Sequence, residues 1–301
     1  RDLVRSRGLG DVYKRQMKLS TICVQGAYRP KNGEPRVVPI VQSTTYKYDS
    51  SVEMGDLFDL KKSGYFYSRL QNPTCDTVAA KIAMLEGGVA GMLTGSGQAA
   101  NFYAVFNIAG AGDHIVSSTA IYGGTYNLFN VTLRKLGIDF TFVSPSATEE
   151  ELAAAIRPNT KAIFGETISN PSLEILDIEK FARVAHKAGV PLIVDNTFAT
   201  PINCRPFDFG CDIVTHSTTK YMDGHGAGVV RHLHMEPPHT GPPGLHTFHG
   251  KHLAAYRGIA HFQIQRLHFC LIPGCGIYQN SLRYRRHGQG ICPVTCLLYT
   301  S

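Results

Sequence analysis

Apolar positions follow two periodicities between residues 73 and 217, and these predict strands that alternate with helices. Apolar residues at helical spacing predict a helix over 74–86, which Gly87 and Gly88 end. Short apolar runs bounded by turn residues predict strands. The predicted strands are 90–94, 114–117, 139–143, 161–165, 191–194 and 212–215, and the further helices are 95–109, 125–136, 148–156 and 178–188.

This alternation predicts an α/β fold whose mostly parallel sheet is covered by helices on both faces. The preceding region, 17–72, is broken by Pro30, Pro35 and Pro39, and we expect it to wrap over other structure as an extended segment. A short strand is predicted at 39–46. Ligands of such sheets bind at the carboxyl ends of strands. The chemistry is therefore expected just after residues 94, 165, 194 and 215.

The net charge of +7 lies at the two ends of the chain. Residues 1–16 carry five basic and two acidic side chains, and residues 231–301 carry seven and one, whereas 17–230 carry 18 and 20. A basic protein of this kind would suggest a nucleic-acid partner, but a mildly acidic middle removes the main support for one. We expect no nucleic-acid partner.

Composition also separates the ends from the middle. Nine of the 13 His and four of the eight Cys lie beyond residue 230. The spacing of those Cys differs from that of zinc ribbons, so no metal site is predicted. We expect a non-native leader at 1–16, an N-terminal extended segment at 17–72, an incomplete large domain at 73–229, and an aberrant, frameshifted or artefactual tail at 230–301. A divergent His-rich tail is the alternative.

No apolar run in the sequence is long enough to span a bilayer, and the Arg-rich start lacks the apolar stretch of a secretory signal. The Cys of the middle region are scattered, as suits free thiols in a reducing compartment. A soluble, cytoplasmic protein without a membrane partner is expected.

Two strand ends carry a lysine and a carboxylate. Lys220 follows the strand at 212–215, where it can form an imine with an aldehyde cofactor, and Ser217 and Thr219 offer hydroxyl groups to a phosphate. Alone, this is also the pattern of a surface loop. Asp195 ends an apolar strand, where a buried carboxylate needs a cation such as a protonated pyridine nitrogen. A helix N-cap and a Mg²⁺ ligand are alternatives for Asp195. Together, Asp195 and Lys220 indicate pyridoxal phosphate (PLP).

The other strand ends carry groups that suit the same cofactor. Gly97 and Gln98 open a helix after the strand at 90–94, where backbone N–H groups favour an anion. The full dinucleotide pattern is absent, which disfavours a nicotinamide cofactor. Asn170 precedes a proline and is held extended, and the ring of Tyr122 can stack on a cofactor. An ordinary Asn-Pro turn and a packed loop tyrosine are the alternatives.

Residues 17–229 resemble the Cys/Met-metabolism PLP enzymes, which have the aspartate-aminotransferase-like PLP fold type I. The matching blocks are YSRLQNPT (67–74), GSGQAA (95–100), YGGTYNLF (122–129), ETISNPSLEILDIEKFA (166–182), VDNTFATP (194–201) and THSTTKYMDGHG (215–226). Nothing after Gly228 resembles the family's small C-terminal domain, which supplies an arginine for the substrate carboxylate. The resemblance therefore implies that this domain is missing.

The resemblance implies a role for each matching residue. Lys220 is the Schiff-base lysine and proton shuttle, Asp195 pairs with the pyridinium nitrogen, Asn170 with the phenolic oxygen, and Tyr122 stacks on the ring and assists proton transfer. The phosphate is held by Gly97, Gln98, Ser217 and Thr219. Tyr67 and Arg69 reach the phosphate of a neighbouring subunit in a homodimer within a homotetramer.

The implied reaction is γ-replacement on O-acetylhomoserine by sulfide or methanethiol, which gives homocysteine or methionine. Cystathionine γ-synthase, cystathionine γ-lyase and methionine γ-lyase share every residue named above and remain alternatives. So do a nucleic-acid-binding module that depends on the basic tail and an inactive, truncated fragment.

Overall fold

The structure, a computed structural model, describes residues 17–59 and 61–224 and the backbone of residues 231–235. The predicted leader at 1–16 lies outside the described residues. The predicted tail also lies outside them, except for a strand at Arg231–Met235. Within the described residues, no helix is both long and apolar enough to cross a membrane.

A seven-stranded sheet forms the centre of the molecule. The strands are β1 (Ala90–Thr94), β2 (His114–Ser118), β3 (Asp139–Val143), β4 (Thr160–Glu166), β5 (Leu192–Asp195), β6 (Ile213–Ser217) and β7 (Arg231–Met235), in the order β1-β7-β6-β5-β4-β2-β3. The strand β7 is antiparallel to both of its neighbours, and the other pairs are parallel. All strands except β7 therefore end at the same edge, which confirms the mostly parallel mixed sheet predicted from sequence.

Helices cover the sheet between strands. They are α1 (Leu19–Gln25), α2 (Ser51–Phe58), α3 (Pro73–Glu86), α4 (Gly97–Phe106), α5 (Gly123–Asn127), which continues as a π-helical turn over Leu128–Leu133, α6 (Glu149–Ala154), α7 (Ile178–Lys187) and α8 (Thr200–Asn203), with a 3-10 turn at Pro206–Phe209. Local sequence sets their ends. Asn72 caps α3 by accepting a hydrogen bond from the Thr74 N–H, and Gly87 ends that helix at φ 84°.

Neighbouring residues of the central strands point to opposite faces of the sheet. Phe164 and Ile193 belong to the apolar cluster on one face, together with Phe129 and Leu133 of the π-helical turn. Ile163, Leu192 and Val194 belong to the cluster on the other face, together with Phe181 of α7. Both clusters are almost fully buried. Apolar residues occupy consecutive positions because both faces of these strands are covered.

One predicted element is wrong, and another differs in detail. The helix predicted over 125–136 forms as α5 and continues as a π-helical turn. No strand forms over 39–46, where the only pairing is one bridge between Thr45 and Tyr67. Side chains satisfy the backbone instead: the Val41 N–H donates to Thr74 Oγ1 at 2.9 Å, and Asn72 Nδ2 donates to the Val41 carbonyl at 2.9 Å. Residues 17–72 also contain two short helices, α1 and α2, that apolar periodicity does not predict.

The N-terminal segment has a small apolar cluster of its own and contacts the start of α3 at a buried carboxylate. Leu57, Phe66 and Leu70 form the cluster. Asp76 lies in the first turn of α3, and its Oδ1 is buried without a hydrogen-bond partner in the described part of the chain. Burial raises the pKa of Asp76 to about 6, although a hydrogen bond with Tyr65 opposes that shift. A buried charge therefore opposes docking at neutral pH.

We expect Asp76→Asn to stabilise the fold at neutral pH. Because the folded-state pKa is raised above the unfolded value, folding favours the protonated carboxyl, and the cost of the charge grows between about pH 4 and about pH 6 and is complete above it. The free energy of unfolding should increase by about 1–3 kcal/mol at about pH 7.5 and by much less at about pH 4.5. Denaturant titrations of both variants measure this difference.

Asp49→Asn is the matched control, since Asp49 is exposed and its ion-pair partner in the described part of the chain is exposed Lys47. It should change stability by less than about 0.5 kcal/mol at either pH. Equal gains for Asp76→Asn at both pH values would show that the carboxylate charge is not what opposes docking.

Candidate active site

The ends of four strands meet at one edge of the sheet. Thr94 ends β1, Glu166 ends β4, Asp195 ends β5 and Ser217 ends β6. Glu166 and Asp195 are paired in register across β4 and β5, so the two carboxyl groups start from neighbouring backbone positions. All four residues are buried. This edge is the one where the sequence predicted chemistry.

Asp195 is a buried carboxylate whose hydrogen-bond partners are all neutral. Its Oδ1 accepts from the backbone N–H of Thr197 at 3.0 Å and from the Thr197 hydroxyl at 2.5 Å, and its Oδ2 accepts from Asn101 Nδ2 at 3.1 Å. In the described part of the chain, Asp195 makes no ion pair within 4.0 Å. A buried carboxylate of this kind matches a cation brought by a ligand.

Asn101, on α4, connects Asp195 to Thr125 of α5 and to Thr215 of β6. Its Oδ1 accepts a hydrogen bond from Thr215 Oγ1 at 2.6 Å, and its Nδ2 also lies 3.2 Å from Thr125 Oγ1. Gln98, one turn earlier on α4, accepts from the Thr125 hydroxyl at 3.3 Å and donates to the Gly124 carbonyl at 2.6 Å. The first turn of α4, the start of α5 and the end of β6 therefore form one buried network.

The loop that carries Tyr122 requires glycine at position 124. A Cβ on Gly124 would lie 2.5 Å from Cε1 of the Tyr122 ring. Tyr122 is the N-cap of α5, and its side chain is 47% exposed. The tyrosine ring is thus held at the site with one side open to solvent, where it can stack on a ligand.

The first turn of α4 and the turn after β6 both carry groups suited to an anion. Ser96 caps α4 by accepting from the Ala99 N–H at 3.0 Å, and Gly97 is buried in the first turn. The Ser217 Oγ and Thr219 Oγ1 are buried without a hydrogen-bond partner among the described residues. A helix N-terminus and two free hydroxyls are suited to the oxygens of a phosphate. The residues present therefore fit the phosphate and the pyridinium nitrogen of PLP.

Lys220 lies in the turn directly after β6. Its backbone N–H donates to the Ser217 carbonyl at 3.1 Å, and its carbonyl accepts from the Gly224 N–H at 3.0 Å. Its side chain is exposed. Two hydrogen bonds therefore fix the backbone of Lys220 in the turn that also carries Ser217 and Thr219. Its amine is open to solvent and to a ligand.

Tyr67 and Arg69 lie on the N-terminal segment, outside the network around Asp195. The guanidinium carbon of Arg69 lies 4.8 Å from the centroid of the Tyr67 ring, a cation–π contact. Arg69 Nε is buried without a partner among the described residues. The contact between Tyr67 and Arg69 thus leaves the Arg69 Nε–H as a donor without a partner among the described residues.

Comparison with known proteins decides the family. The model of the Cys/Met metabolism PLP-dependent enzymes matches residues 20–237. The chain belongs to this family. Its cofactor is PLP, and its fold is the PLP fold type I. The match includes β7, which lies inside the region where the sequence predicts an aberrant tail. The tail at 230–301 remains a prediction.

Curated relatives from this family share about half of their length with the chain. An O-acetyl-L-homoserine sulfhydrylase from Corynebacterium glutamicum is 50% identical over 194 residues, which are 64% of this chain and 44% of the relative. A homocysteine synthase from Schizosaccharomyces pombe is 50% identical over 195 residues, 64% of this chain and 45% of the relative.

Solved structures of two family members resemble the chain. One, from Campylobacter jejuni, is named as an O-acetylhomoserine (thiol)-lyase with a pyridoxyl-lysine monophosphate. It is 38% identical to this chain, with a TM-score of 0.71. The match covers 73% of this chain and 55% of that one. The other is a cystathionine γ-lyase from Lactobacillus plantarum complexed with L-serine. It is 33% identical, with a TM-score of 0.71, and the match covers 83% of this chain and 59% of that one.

The structure joins three of the ten residues that the sequence predicts for the cofactor site in one hydrogen-bond network, and they are Gln98, Asp195 and Ser217. Hydrogen bonds link Gln98 to Asp195 through Asn101 and Thr125, and Asp195 to the Ser217 backbone through Thr197. Among the described residues, side-chain hydrogen bonds of this network do not reach Lys220, Thr219, Tyr67 or Arg69. The cofactor roles of all ten residues stay predictions.

Sequence reasoning missed three residues that hold the site: Asn101, Thr197 and Glu166. Asn101 lies three positions after Gln98 and so on the same face of α4, a spacing that could have revealed it. Thr197 lies two residues after Asp195, the separation at which an aspartate accepts the backbone N–H of a turn. Glu166 accepts from the backbone N–H of Tyr122 at 2.9 Å and of Asn170 at 3.2 Å, contacts that no local pattern indicates.

A second buried cluster supports the site from behind. Glu86, at the end of α3, accepts hydrogen bonds at Oε1 from Asn196 Nδ2 at 2.9 Å and lies 2.6 Å from His216 Nε2. Asn196 directly follows Asp195, and His216 directly precedes Ser217. All three residues are at most 1% exposed. The cluster therefore fixes the backbone beside both strand-end residues.

We expect Asn101→Asp to destabilise the protein strongly, because it sets a second carboxylate against Asp195 where an amide now donates. The loss at about pH 8 should be about 3 kcal/mol or more, and smaller near pH 5, where two carboxyls share a proton. Denaturant unfolding at both pH values measures it. Asn107→Asp at the C-cap of the same helix is the control and should cost about 1 kcal/mol or less. Equal losses for the two variants would contradict the network.

Proposed function

We propose that the edge of the sheet at Asp195 and Lys220 is the PLP site of an enzyme that replaces the γ-substituent of O-acetylhomoserine. The observation that carries the proposal is the buried Asp195 carboxylate, whose partners in the described chain are all neutral. When bound, PLP withdraws electrons from the carbons of an amino-acid substrate. This chemistry requires a protonated pyridine nitrogen, and Asp195 is suited to hold that proton.

The remaining strand-end residues bind and orient the cofactor. The Gly97 backbone, Gln98 and the free hydroxyls of Ser217 and Thr219 hold the phosphate. Asn170 pairs with the phenolic oxygen, and the half-exposed ring of Tyr122 stacks on the pyridine. These residues follow the ends of β1, β2, β4 and β6, which supports a single shared cofactor site.

Lys220 is the residue that holds the cofactor covalently and moves protons. With PLP bound, its exposed amine would hold the cofactor and would move the α-proton of the substrate. In the net reaction, the Cγ–O bond of O-acetylhomoserine breaks and acetate leaves. A Cγ–S bond to sulfide forms, which gives homocysteine; methanethiol in place of sulfide gives methionine.

The names of the relatives support this substrate, since both an O-acetyl-L-homoserine sulfhydrylase and a homocysteine synthase are 50% identical to the matched region. The likeness to a cystathionine γ-lyase structure supports the second candidate, a sister activity on the same cofactor site. We also propose that Tyr67 and Arg69 bind the phosphate of a neighbouring subunit, because the pair retains a buried, unused donor.

The proposal is tested by the cofactor and by the product. The purified chain should bind PLP with a visible absorption band, and borohydride reduction should attach the cofactor to the peptide that contains Lys220. Lys220→Ala should lose both signals, whereas Lys187→Ala, at the end of α7, should keep them. Label on any other lysine would overturn the assignment of Lys220.

The substrate is tested by supplying the loaded protein with O-acetylhomoserine and sulfide. Homocysteine and acetate should form in equal amounts and should be absent with Lys220→Ala, because the lysine moves the protons that the replacement needs. 2-Oxobutyrate from cystathionine or methionine, without homocysteine from O-acetylhomoserine, would instead favour a sister activity.

A further inference from the structure

Glu166 connects two loops that sequence separates. It ends β4 and is 7% exposed. One carboxyl oxygen, Oε1, accepts from the backbone N–H of Tyr122 at 2.9 Å, and the other, Oε2, accepts from the backbone N–H of Asn170 at 3.2 Å. Tyr122 lies after β2, 44 residues earlier in the chain. A single side chain therefore sets the distance between the two loops.

Only a glutamate satisfies both N–H groups at this position. An ionised carboxyl group has two acceptor oxygens, whereas the amide of glutamine has one acceptor and one donor. Glutamine would bring an N–H group against either the Tyr122 or the Asn170 N–H, and that loop would lose its anchor. Aspartate is one methylene shorter and does not span the same distance. The side-chain chemistry at position 166 thus matches the two loops specifically.

The charge of Glu166 is linked to the charge of Asp195. Burial, and secondly the neighbouring Asp195, raise the pKa of Glu166 to about 8, although the two backbone hydrogen bonds oppose the shift. Asp195 on β5 is the charged group that faces Glu166, while Tyr122 and Asn170 contribute backbone N–H groups.

We propose that Glu166 is a positioning residue that holds the Tyr122 and Asn170 loops at a fixed separation beside the cofactor ring. The inference rests on the proposed function. Since a nearby cation favours the charged carboxyl, binding of the cofactor should lower the proton affinity of Glu166. By linkage, the affinity for PLP should then rise with pH through the range where Glu166 titrates.

The experiment compares PLP binding by the full chain and its variants between about pH 7 and about pH 9, with absorbance titrations and melting temperatures of the free proteins. Glu166→Gln should weaken PLP binding about tenfold at about pH 8, as one loop loses its anchor. It should also show a smaller increase of affinity with pH than the wild type, because glutamine does not titrate. A purely structural role would not change that slope.

Asp212→Asn is the matched control. Asp212 lies just before β6, at the opposite edge of the sheet, and its Oδ2 accepts from the Leu192 backbone N–H at 2.8 Å and contacts His186. It removes a comparable carboxylate-to-backbone contact and should leave both the PLP affinity, within about twofold, and its pH slope unchanged. If Glu166→Gln binds PLP with the same affinity and the same pH slope as the wild type, the inference is wrong, and the proposed function is unaffected. Failure of the wild type to bind PLP would overturn the proposed function and the inference with it.

Discussion

The active edge of this protein depends on one buried carboxylate that has no counter-charge among the described residues. Asp195 ends a strand whose preceding residues are apolar, and it is held by an amide, a hydroxyl and a backbone N–H. Such a group is costly in an empty site and favourable beside a pyridinium cation. The stability of the fold and the affinity for its cofactor are therefore linked through the same residue.

Two layers of hydrogen bonds keep that carboxylate in place. Asn101 joins it to the loops in front, and the cluster of Glu86, Asn196 and His216 fixes the backbone behind it. Both layers are anchored on helices that pack on the sheet, so the site inherits the rigidity of the core. The lysine is different, since its side chain is exposed on the turn that follows the last parallel strand.

The sheet and its chemical edge could be predicted because both follow from local pattern. The strands at Ala90–Thr94 and Asp139–Val143 begin and end where apolar runs do, and Asp195 stood out as a charge after such a run. Contacts across the sequence could not be predicted. Glu166 bonds to a loop 44 residues away, and the backbone near Val41 is satisfied by Thr74 instead of by a strand. Both depend on the finished fold.

The most direct measurement is the dissociation constant for PLP of Asp195→Asn compared with the wild type, together with the melting temperatures of both proteins without cofactor. The substitution removes the charge and keeps a side chain of nearly the same shape. If the carboxylate is held for the ring cation, the variant should bind PLP at least about tenfold more weakly while it melts at the same temperature or higher. A folded variant that binds PLP as tightly as the wild type would contradict the account.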